Sequence, residues 1–125
     1  MSRNWLQFAQ KGTPVVSVSI GPRRFYALID TDAQISMVAP DVAIRLGLPN
    51  IGLQRMIGIT GEVASVPAVQ MPPVAFGNTA LASCRAAVLD VRKLGSKIEI
   101  ILGVNAFANR RLQFDFKDER IYILG

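Results

Sequence analysis

What most constrains this chain is the way its apolar residues come in short, β-branched or aromatic runs, each cut off by glycine or proline. "TPVVSVSI" (Thr13 to Ile20) and "RRFYALI" (Arg23 to Ile29) flank Gly21-Pro22, and neither run is long enough for a core helix. Such runs with a turn signal between them predict a hairpin. The same punctuation recurs downstream. "LQRMIGITGEVASVPAV" from Leu53 reads as two alternating segments around a glycine-rich tip, Gly58 to Glu62. A further pair, "VQMPPVAF" and "TALASCRAAVLDV", turns at Gly77-Asn78, and "IEIILG" (Ile98 to Gly103) reads as a fully apolar strand. "LQFDFKDERIYIL" closes the chain as a last hairpin, with Leu112, Phe114 and Phe116 alternating against polar residues.

Helical signals are few. Pro40 and Gly47 bracket about two turns in "PDVAIRLGL", and "VNAFANR" is a second short candidate. The expectation is an all-β fold with one or two short helices. A chain of 125 residues, half of them hydrophobic, fits one domain spanning residues 1–125. No apolar run approaches the roughly 18 to 20 residues of a membrane span, and no signal-peptide layout opens the sequence, so the chain reads as soluble with no membrane partner.

Composition also narrows the chemistry. There is no histidine, which excludes Ser-His and Cys-His pairs and a His-ligated zinc site. The single cysteine, Cys84, has no partner for an internal disulfide and reads as a small core residue. The net charge of +5 is scattered, with pairs only at Arg23-Arg24 and Arg110-Arg111, so a nucleic-acid partner is not expected. Acid–base chemistry must then fall mainly to carboxylates.

Two carboxylates stand out in "FYALIDTDAQISMV", where Asp30 and Asp32 follow an apolar run and are followed by another. They fit a strand-end turn closed by Asp and Thr side chains. They fit a calcium loop poorly: Gln34 stands at the next ligand position, and Ile35 replaces the glycine that such a loop needs.

"ALIDTDAQISMV" also resembles the active-site stretch of retroviral-type (retropepsin-like) aspartic proteases, an apolar strand running into Asp-Thr/Ser-Gly-Ala. Asp30, Thr31, Ala33, Gln34 and Ser36 match; Asp32 stands where the family has glycine. The glycine-tipped hairpin lies where the family has its flap, and "IILG" resembles the segment beneath the catalytic loop. The resemblance spans Thr13 to the end. It implies a retropepsin-like acid protease barrel, active as a homodimer on a peptide or protein substrate, with no cofactor and no metal.

On that resemblance Asp30 is the catalytic residue, one per subunit, since one motif supplies half of a dyad. Thr31 is expected to bond across the two-fold axis, and Ile101, Leu102 and Gly103 to support a loop that includes Asp32 and Ala33. Ile57, Gly58, Ile59, Thr60 and Gly61 are the expected flap. Apolar walls from Ile57, Ile59, Val66 and Val69 would favour hydrophobic residues beside the cut. The terminal hairpin would offer strands to the dimer interface. Asp32 leaves three readings open: an outward side chain that permits activity, a crippled dyad in a protease-shaped peptide-binding or dimerisation module, or a change introduced into an active parent.

Overall fold

The computed structural model describes residues 4–58 and 60–124. In chain order its strands are β1 (Trp5–Gln7), β2 (Val15–Ile20), β3 (Arg23–Ile29), β4 (Ser36–Val38), β5 (Asn50–Ile57), β6 (Val63–Met71), β7 (Ala75–Phe76), β8 (Thr79–Ala80), β9 (Cys84–Val88), β10 (Ile100–Leu102), β11 (Arg111–Asp115) and β12 (Arg120–Leu124). One short α-helix, α1 (Pro40–Arg45), and single 3-10 turns at Val91–Leu94 and Val104–Phe107 complete the described residues. The all-β expectation with short helices holds.

Nine strands form one mixed sheet in the order β5-β6-β9-β4-β10-β3-β2-β7-β8, and three form a second, β1-β12-β11. Alternation explains the first hairpin. In β2, Val16, Val18 and Ile20 are buried, while Ser17 and Ser19 lie on the other face, paired with Tyr26 and Arg24 of β3. β10 is buried along its whole length, as its unbroken Ile-Ile-Leu requires of a strand covered on both faces. It runs parallel to β3 on one side and antiparallel to β4 on the other. Residues from both sheets share one core, from Leu6 and Val16 to Ile121 and Ile123.

Helix α1 begins at Pro40, whose missing N–H costs nothing in the first turn, and stops where Gly47 takes φ of 60°. Asp41 in its first turn bonds Arg92 and Arg45, and the Arg92 contact foremost holds its carboxyl below the usual carboxylate range. These groups are well exposed, so the cluster orients the helix more than it stabilises the fold.

Several sequence expectations need correction. β1 was not anticipated; three residues are too few to display a period, and its partner is β12. Gly77-Asn78 turns only the two-residue strands β7 and β8, and β9 pairs instead with the inner half of β6. Pro72 and Pro73 cause this, since neither has an N–H to continue a ladder. The apolar run after Cys84 ends at Val88 and passes into a 3-10 turn, and Phe116 lies beyond the end of β11.

Candidate active site

Strands β3 and β10 end side by side, with Ile29 level with Leu102, so Asp30 and Gly103 leave the sheet together. The Asp30 N–H donates to the carbonyl of Leu102 at 3.0 Å, which fixes the carboxylate's root to the most buried strand of the sheet. The loop then folds back: Ala33 N–H donates to the Asp30 carbonyl at 3.2 Å, and Val104 N–H to the Ala33 carbonyl at 2.8 Å. Asp32 N–H donates to Oδ1 of Asp30 at 3.0 Å. The Asp part of the side-chain turn that the sequence suggested is therefore present, and it orients the Asp30 carboxylate.

Gly103 sits against this loop so tightly that a Cβ there would lie 2.5 Å from the Ala33 carbonyl oxygen and 3.1 Å from backbone atoms of Ile35. Backbone cannot swing aside as a long side chain can. Gly103→Ala is expected to destabilise the fold by about 2–4 kcal/mol, measured as a lower denaturant midpoint with little change in slope. Ile101 and Leu102 of β10 are fully buried, and the Leu102 carbonyl holds the Asp30 N–H.

Ser36 is the one fully buried polar side chain in the described core. Its hydroxyl donates to Oδ1 of Asn105 at 2.8 Å and accepts from Gly103 N–H at 3.0 Å. Asn105 was not singled out in the sequence; its only cue is an amide set just after an apolar strand and a glycine. Cys84 lies 3.9 Å from the Ser36 hydroxyl, and burial pushes its thiol up from the ordinary cysteine value, which leaves it a poor nucleophile.

The two acidic residues line different hollows. Asp30 and Thr31 line one of about 300 Å³ with Pro14, Ile29, Phe114 and Phe116. Asp32 lines another of about 370 Å³, between the loop and the β5–β6 hairpin, with Ala33, Gln34, Ile35, Met37, Gln54, Arg55, Met56 and Ile57. Positive φ among described non-glycine residues occurs only at Asn109 and Glu119. The backbone at residue 32 therefore makes no conformational demand for glycine, and Asp32 contributes to the wall of the cleft.

The hairpin tip closes through Gly58 N–H to the Glu62 carbonyl at 2.8 Å, and Gly61 takes φ of 88°, a conformation that favours glycine. The Thr60 hydroxyl bonds Glu62. Ile59 lies outside the described residues. Ile57 is exposed and lines the cleft, whereas Val69 is buried in the core and Val66 does not reach the cleft. The reason is register: Val69 lies in the part of β6 that β9 covers. The apolar part of the cleft wall comes instead from Ala33, Ile35, Met37, Met56 and Ile57, beside the polar Asp32, Gln34, Gln54 and Arg55. Among the described residues, no group of three or more potential metal ligands occurs, and no helix is long and apolar enough to cross a membrane.

Residues 16–106 match a protein family described as Aspartyl protease. No curated protein matches the chain. Among solved structures, it is similar to a retropepsin-like aspartic protease from Rickettsia conorii, at 13% identity and a TM-score of 0.60, over 97% of this chain and 90% of that one. It is also similar to the retroviral protease-like domain of Ddi1 from Leishmania major, at 17% identity and a TM-score of 0.52, over 90% and 93% of the two chains.

Proposed function

We propose, since this chain belongs to the aspartyl protease family and has a retropepsin-like fold, that residues 1–125 act as one endopeptidase domain whose dyad joins Asp30 of two copies. The observation that carries this reading is the rigid mounting of Asp30 at the end of β3, beside Leu102, with Thr31 in a hollow flanked by the exposed Phe116. One carboxylate cannot perform the chemistry alone. Two that share a proton can: the ionised one takes a proton from water as its oxygen attacks the scissile carbonyl, and the protonated one donates to the carbonyl oxygen. Collapse of the tetrahedral intermediate breaks the C–N bond, and the leaving amine takes up a proton from the dyad.

The second copy follows from stoichiometry, because the sequence holds a single Asp-Thr loop of this type. Among the described residues, the outer edge of β11 in the β1-β12-β11 sheet has no strand partner, and exposed Phe116 and Leu124 lie nearby. A two-fold pairing there brings like surfaces together. The β5–β6 hairpin, including Ile57, Gly58, Thr60 and Gly61, then closes over an extended peptide and bonds its backbone as an added strand.

A second reading rests on Asp32, which lines the cleft at the position where the family motif has glycine: a protease-shaped module that dimerises or binds peptides without cutting them. Sedimentation at micromolar concentration should give about twice the 13.6 kDa chain mass. A mixed peptide library should be cut faster at acidic than at neutral pH, since the pair works with one proton between them. A strict monomer would remove the shared dyad, and peptide binding by a dimer without cleavage at either pH would favour the second reading.

A further inference from the structure

Among the described residues, the outer half of the β5–β6 hairpin has no third strand beside it. β9 pairs with β6 only over Ala68, Val69, Gln70 and Met71, so from Pro67 to the tip the two strands are laddered only to each other. Isolated two-stranded ribbons are marginal in water. This one also exposes Leu53, Ile57 and Val63. Its direction relative to the Asp30 loop must therefore be set by what holds its root.

Arg85 of β9 lies at that root. Its Nε donates to Oε1 of Gln54 at 2.8 Å, and its Nη2 to the carbonyl of Leu53 at 2.7 Å. Pro67, opposite Leu53 in the register, has no N–H of its own to give. The planar guanidinium thus grips two adjacent ribbon residues as a rigid fork.

The backbone of the same residue is tied towards the loop. The Arg85 carbonyl accepts from Asn105 Nδ2 at 2.7 Å, and Asn105 Oδ1 accepts from the Ser36 N–H at 2.9 Å and from its hydroxyl. Ser36 Oγ accepts in turn from Gly103 N–H, next to the Leu102 carbonyl that holds Asp30. Ser36 is fully buried, where an unmade bond is costly, so these links are stiff. Arg85 itself lines neither hollow.

We propose that Arg85 is a positioning residue that fixes the β5–β6 ribbon over the Asp30 loop and so sets the width of the cleft between them. Its consequence for substrate binding rests on the protease reading above; its effect on the ribbon does not. The test compares the unchanged protein with Arg85→Met, which keeps the stem and loses both donors, and Arg85→Lys, which keeps the charge and loses the fork. Amide hydrogen exchange over residues 53–57 and 63–66 is expected to be roughly tenfold faster or more in both variants, with β2, β3 and β10 unchanged. For any library peptide that the unchanged protein cuts, KM should rise about tenfold in Arg85→Lys with kcat nearly constant. Ribbon amides that exchange as slowly in both variants as in the unchanged protein would overturn the proposal. So would equal loss of protection across the core, if Gln54→Leu, which cuts the contact from the ribbon side, left the ribbon protected. If none of the proteins cuts any peptide, the protease reading fails, and exchange alone still decides the role of Arg85.

Discussion

Asp30→Asn should abolish peptide cleavage, lowering kcat by about 10³-fold or more, while the protein stays folded and dimeric. The amide has nearly the shape of the carboxyl, and its oxygen can still accept from the Asp32 N–H, as Oδ1 of Asp30 does at 3.0 Å. The anchor to the Leu102 carbonyl uses backbone and is untouched. On the proposed mechanism, the variant loses the capacity to take a proton from water and pass it to the leaving amine. Turnover measured on a fluorogenic version of a library hit, with circular dichroism and sedimentation in parallel, separates lost chemistry from lost structure. Turnover equal to that of the unchanged protein would remove Asp30 from the reaction.

Asp32→Gly should act in the opposite direction, raising cleavage about tenfold or more and tightening the dimer. In the assembled pair it removes two like charges from the neighbourhood of the dyad and clears a side chain from the wall of the cleft shared with Arg55 and Ile57. Tenfold corresponds to about 1.4 kcal/mol, a modest demand on like-charge repulsion at a half-open site. The backbone N–H that bonds Asp30 remains. Side-by-side assays on one substrate, with dimerisation measured on the same samples, read both effects. No change in either quantity would make Asp32 a tolerated, outward substitution. Two proteins that dimerise without cutting would establish the binding module.

Local features of the fold were legible where one residue type decides the matter. Gly21-Pro22 and the alternation around it give the β2–β3 hairpin, and Pro40 and Gly47 bracket α1. The parallel pairing of β3 with β10 and of β4 with β9 leaves no such mark, because it depends on which distant apolar runs cover one another. The split of β6 between two roles, inner half in the sheet and outer half in the ribbon, was hidden for the same reason. At the site, Asp30 and Thr31 stood out as polar residues after an apolar run and matched a known motif. Gly103 was legible from its place after "IIL". Ser36, Arg85 and Asn105 were not legible as a group, since isolated polar residues in three separate segments carry no period and meet only in the folded chain.

The pairing of Trp5 with Tyr122 also fixes an order of events. Closing a loop of over a hundred residues costs more entropy than any neighbouring hairpin, and it is repaid only after the intervening strands have condensed. Docking of β1 onto the β11–β12 hairpin, itself a local pair, is therefore expected to come late in folding. Phe114 and Phe116, which wall the hollow around Asp30, belong to or adjoin that hairpin. A nascent chain can fold its first hairpin and expose its carboxylate early, but it cannot enclose that carboxylate until β11 and β12 have been synthesised and docked.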